Sequence, residues 1–106
     1  MRDCREEAFA LFGLGETQRA RGLPQEAVDC YRRCLPAFRD FGEREWEARA
    51  MVALGLALET GGEQVEALAL WRDALPVLDA LGMPEAAEVQ ARLRSRDGPG
   101  PGRDGP

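Results

Sequence analysis

Histidine and lysine are absent from this 106-residue chain, which also has a single serine and two threonines. Without histidine it lacks the commonest general base, proton shuttle and transition-metal ligand. Ser95, Thr17 and Thr60 therefore have no base to activate them. No phosphate-cradling loop stands in for one, since the Gly98–Gly105 stretch is interrupted by prolines and follows no strand. These absences argue against an enzyme, and no cofactor or metal is expected. Long hydrophobic runs are also missing. Gly, Arg or Glu breaks every apolar stretch well short of the length a membrane span requires, and positions 1–20 hold no charged-then-apolar leader. Positive charge is scarce: the net charge is −5, and the only local excess is Arg92, Arg94, Arg96 and Arg103. Nucleic acid demands clustered positive charge, so it is not an expected partner.

Cysteine is present three times, at positions 4, 30 and 34. Cys30 and Cys34 stand four apart, a spacing that puts them on one face of a helix but fits disulfide geometry poorly. Three cysteines without an even framework agree with a reducing compartment, and the cytoplasm is the expected location. All 14 basic residues are arginine, a bias that points to a GC-rich genome rather than to a mechanism.

What the chain does have is an internal repeat. Laid on itself so that Glu7 meets Glu47, the chain aligns Glu7–Trp46 with Glu47–Ala86 without a gap, and 13 positions are identical. Leu14-Gly15 falls on Leu54-Gly55, Gly22 on Gly62, Glu26-Ala27 on Glu66-Ala67, Leu35-Pro36 on Leu75-Pro76, and Gly42 on Gly82. A repeat of such a length signals stacked supersecondary units. Each unit reads as a helix pair. Apolar and small residues spaced three and four apart (Ala8, Leu11, Phe12, Gly15) mark the first helix, about Asp3–Arg21, and Ala27, Tyr31, Cys34 and Phe38 mark the second. Gly22 and Gly42 supply the stops, and Pro24 suits the first turn of the helix it opens. The second unit repeats this at about Glu43–Glu59 and Glu63–Leu81. A fifth helix, Pro84 to about Arg96, has a thin apolar stripe (Ala86, Val89, Leu93), as a capping helix needs. The expected fold is all-α: antiparallel helix pairs stacked as a solenoid of two and a half units over residues 3–96. The tail from Asp97 to Pro106 is too poor in apolar side chains to fold.

Three expectations about packing follow. Mid-helix glycine costs about 1 kcal/mol against alanine, so its repetition at Gly15 and Gly55 implies close contact, here expected with Ala27 and Ala67. Tyr31 and Trp71 are then expected to fill the space between units. Pro36 and Pro76 should bend the second helices.

Leu-Gly in the first helix, Ala27 and Ala67 four positions before an aromatic, and small Cys34 and Ala74 three after it resemble the tetratricopeptide repeat. The usual period in that family is about 34 residues. The longer period here, one unit running from Glu7 to Trp46, is similar to a variant in regulatory proteins of high-GC bacteria. Departures are Gln18 and Leu58 where tyrosine is common, and the two prolines. The resemblance implies a protein-interaction module whose first helices line a concave face. Carried over by position, that lining would be Phe9, Phe12, Glu16 and Arg19, then Arg49, Val52, Leu56 and Glu59, and from the last helix Val89 and Arg92. The Lys/Asn clamp with which some members grip a C-terminal carboxylate is missing. What remains is an apolar floor with charged margins, suited to an amphipathic helix or apolar peptide. The same residues could instead pack on a further repeat or a second copy, making the chain a structural or self-associating unit, a homodimer included. Trp46, without an aromatic counterpart, is a further interaction candidate.

Overall fold

The computed structural model describes residues 4–97, with side chains through Ser95. Five helices follow one another: α1 (Cys4–Ala20), α2 (Pro24–Asp40), α3 (Arg44–Thr60), α4 (Gln64–Ala80) and α5 (Glu85–Asp97). The expected bounds hold to within a residue or two, although Asp97, assigned to the tail, is the last residue of α5. Residues 98–106, the rest of the expected disordered tail, lie outside the described residues.

The turns show a finer period than the repeat unit. Gly22, Gly42, Gly62 and Gly82 recur at half its length, with φ of +79°, +71°, +91° and +67°. After each glycine the next amide closes on the helix just ended. Leu23 donates to the Gln18 carbonyl (2.9 Å), Glu43 to Phe38 (2.8 Å), Glu63 to Leu58 (2.7 Å) and Met83 to Leu78 (2.9 Å). Each glycine amide bonds the carbonyl three positions back. This is the Schellman closure, in which a left-handed residue lets the chain satisfy otherwise orphaned carbonyls. One device, used four times, sets four helices of equal length and their reversals.

Consecutive helices pack side by side, while α1 and α3, and α3 and α5, touch lightly. The core runs along the seams. Ala27, Tyr31, Cys34, Phe38, Ala48, Ala50, Ala57, Trp71, Ala74 and Leu78 are fully enclosed. α2 and α4 run unbroken through Pro36 and Pro76. Both prolines are exposed, so water can take the bond that their missing N–H cannot donate.

Gly15 and Gly55 do permit close approach, but to a different neighbour from the one expected. A Cβ on Gly15 would lie 2.7 Å from the Tyr31 ring, and one on Gly55 only 2.1 Å from Trp71 Nε1. The aromatic side chain thus lies on the glycine of its own helix pair. The Trp71 indole fixes itself there by donating to the Val52 carbonyl at 3.3 Å. Ala27 and Ala67 are buried, 0% and 1% exposed, but the atoms nearest each glycine belong to the aromatic ring.

α5 is held by Met83 and Val89, 7% and 1% exposed, while Gln90, Ala91 and Arg94 face water. It closes the C-terminal end of the stack with a mostly polar outer side.

Candidate functional site

A groove of about 330 Å³ opens where α1, α3 and α5 lie side by side. α1 contributes Phe12, Glu16 and Arg19, α3 contributes Trp46, Arg49, Val52, Ala53 and Leu56, and α5 contributes Glu85 and Glu88. The reason is positional: α2 and α4 lie behind, so the turns of the first helices facing away from them form one surface.

Of the ten residues named for the concave face, six meet there: Phe12, Glu16, Arg19, Arg49, Val52 and Leu56. Phe9, Glu59, Val89 and Arg92 do not. Phe9 lies beside the groove in an aromatic cluster, its ring 5.0 Å from Phe38 and 5.1 Å from Trp46. Glu59 is drawn to Arg92, whose guanidinium also stands 5.7 Å over the Trp71 ring. Val89 is core, at 1% exposure, because α5 turns its apolar stripe of Ala86, Val89 and Leu93 onto the stack instead of into the groove.

Trp46 is central to the site. Its ring packs 5.5 Å from Phe12 and 6.3 Å from Phe38, joining α1, α2 and α3, and Arg49 stacks on it at 5.1 Å. The signal for it was in the sequence: an aromatic in the first turn of α3 with no aromatic repeat counterpart. Glu85 and Glu88 were not legible, since α5 falls outside the well-matched part of the repeat.

The polar margin is organised around Tyr31. Its hydroxyl donates to Glu16 and accepts from Arg19 Nε at 3.2 Å, and Arg19 Nη2 bonds the same Glu16 oxygen at 2.9 Å. Burial, and then the bond to Glu16, push the phenol's pKa upward, so it stays a donor. Arg49 pairs with Glu45 at 2.8 Å through Nη2. Among the described residues, two polar atoms of the groove's lining are shut from water without a hydrogen-bond partner: Arg49 Nε and Glu85 Oε1.

The cysteines supply no chemistry here. Cys4 is exposed, whereas Cys30 and Cys34 are buried and unbridged. Burial raises both buried thiols, Cys34 to about 11, and the Cys34 thiol donates to the Tyr31 carbonyl at 3.4 Å, so neither is a ready thiolate. Among the described residues no cluster of three metal-ligating side chains occurs, and no helix is long and apolar enough to cross a membrane.

Stacked antiparallel helix pairs with a groove along their first helices define a helical-repeat protein. A family model described as tetratricopeptide repeat matches residues 6–80, and the chain belongs to that family. Such repeats generally mediate protein–protein interaction and are typically non-catalytic. No curated protein and no solved structure gave a match.

Proposed function

We propose that this chain is an interaction module that holds an amphipathic helix or apolar peptide of a partner protein in the α1/α3/α5 groove. The observation that carries the reading is the groove's composition. An apolar floor of Phe12, Trp46, Val52 and Leu56 is edged by the charged side chains of Glu16, Arg19, Arg49, Glu85 and Glu88. A peptide laid there would bury its apolar side chains against this floor. Its arginine-only basic set and long repeat period support placing the module in a regulatory protein of a high-GC bacterium, acting in the cytoplasm.

The test is a pull-down from the source cell with wild type beside Leu56→Arg, each checked by a thermal melt. Leu56 is half-buried at the groove, so arginine there can extend to water without opening the core. Phe12 is a poorer choice, since it packs on Tyr31, Phe38 and Trp46 and its loss would confound stability with binding. A partner kept by wild type and lost by an equally stable Leu56→Arg supports the groove. A partner kept equally by both contradicts it.

A further inference from the structure

The two ends of the α1/α3/α5 groove are unlike in charge. On α1, Arg19 and Glu16 bond each other at 2.9 Å, one guanidinium for one carboxylate, and both hold the Tyr31 hydroxyl. Across the floor, where α3 meets α5, carboxylates outnumber guanidiniums. Arg49 pairs with Glu45 at 2.8 Å. Arg92 is shared between Glu59 and Glu88, the latter at 3.3 Å. Glu85 lines the groove with Glu88 and, among the described residues, makes no ion pair. Turning Arg49 to Glu85 would only release Glu45, so an uncompensated carboxylate stays at this end whichever partner Arg49 takes. Arg94, also on α5, is exposed outside the lining and does not redress the balance.

Two features keep that surplus effective. Glu85 and Glu88 stand in the first turn of α5, where the helix dipole favours the ionised carboxylate. The dipole brings only about half a positive charge, too little to neutralise both. The apolar floor keeps water from one side of them, which strengthens their pull on an opposite charge.

We propose that the groove selects its occupant by charge as well as by apolar surface: a partner peptide whose apolar side chains cover Phe12, Trp46 and Leu56, and whose arginine or lysine comes to rest on Glu85 and Glu88. The proposal rests on the groove being the partner site and adds to that reading the sign and the place of the charge. The basic residue stands on the α5 side of the apolar anchors, which gives the peptide a direction across the three helices. Glu85 and Glu88 are three apart on one helix face, so a single guanidinium reaches both. A peptide with a carboxylate in that place meets like charge and is rejected.

The chain's net charge of −5 attracts any cation, so the experiment separates the site from the whole molecule. The probe is a phage-displayed library of random peptides of about 12 residues, long enough to cross from α1 to α5 as a helix. It is panned on the intact chain and counter-selected on Leu56→Gln, which weakens the floor without changing charge. Enriched peptides should carry an apolar cluster flanked on one side by arginine or lysine. By calorimetry such a peptide should bind about 10-fold or more tightly than its copy with glutamate in place of those cations. The preference should shrink as salt rises. Glu85→Arg with Glu88→Arg should abolish or reverse it. Glu26→Arg with Glu63→Arg makes the same change of charge away from the groove and should leave it in place, each variant melting within about 3 °C of the parent. Peptides that Leu56→Gln loses but that lack the basic bias overturn the charge selection and leave the groove as the partner site. A preference that the two pairs of substitutions remove equally does the same. If Leu56→Gln retains every enriched peptide, the groove reading falls and the charge selection with it.

Discussion

Leu14 and Leu54 hold the same place in consecutive units, follow the same helix pattern and precede the same glycine, yet one is 46% exposed and the other 4%. The second unit is closed on both sides, by α2 and by α5, and the first on one side only. A solenoid residue therefore owes its energetic role to its neighbouring units as much as to its own helix. The glycine–aromatic pairs make a second contrast. Trp71 is enclosed, with its N–H on a backbone carbonyl, whereas Tyr31 sends its hydroxyl out to Glu16 and Arg19 at the edge of the groove. Unit two uses this device for packing alone, and unit one also connects it to the site.

The largest effect expected from breaking this comparison is at the paired leucines. Leu54→Ala should cost about 2–5 kcal/mol in urea denaturation, and Leu14→Ala should stay within about 0.5 kcal/mol. The paired glycines come next. Gly55→Ala should cost about 3 kcal/mol, because the new Cβ meets an indole pinned by its own hydrogen bond. Gly15→Ala should cost about 1 kcal/mol, since the clash is 2.7 Å instead of 2.1 Å and alanine's helix preference offsets part of it. Tyr31→Phe should cost about 1 kcal/mol and leave Glu16 without one of its donors, a change readable in the same denaturation series.

The smallest contrast is alkaline. Cys34 stands where unit two has Ala74, and its thiol is raised from 9.0 to about 11 in the fold. A raised acid contributes stability below its unfolded value and loses it as pH climbs towards the folded value. The fall in stability between pH 9.0 and about 11 should therefore be smaller in Cys34→Ala, with the part due to Cys30 and Tyr31 remaining, as thermal melts across that range would show.

The helices, the turns and the family were legible because each rests on local chemistry. A left-handed glycine at each turn ends a helix whatever lies beside it, and the identities between the two units mark equivalent places. What was not legible depended on which neighbour a residue meets. The need for a small residue at Gly15 and Gly55 could be read, but alanine was named as the partner where an aromatic ring lies. Val89 carries the apolar character of a groove residue and spends it on the core, where it anchors α5 together with Met83, Ala86 and Leu93. Glu85 and Glu88 reach the site through the placement of a helix that the repeat barely covers. Six of the positions named for a concave face line one groove because they belong to first helices whose orientation the repeat fixes.

The most direct test of the groove is to place a photo-crosslinking residue at Leu56 and, in a second protein, at Val65, which is 84% exposed on α4. Both proteins would be irradiated in lysate of the source cell. A discrete protein adduct from position 56 and none from 65 is the predicted result. Adducts from 65 alone, or the same set from both positions, would contradict a partner held along the first helices.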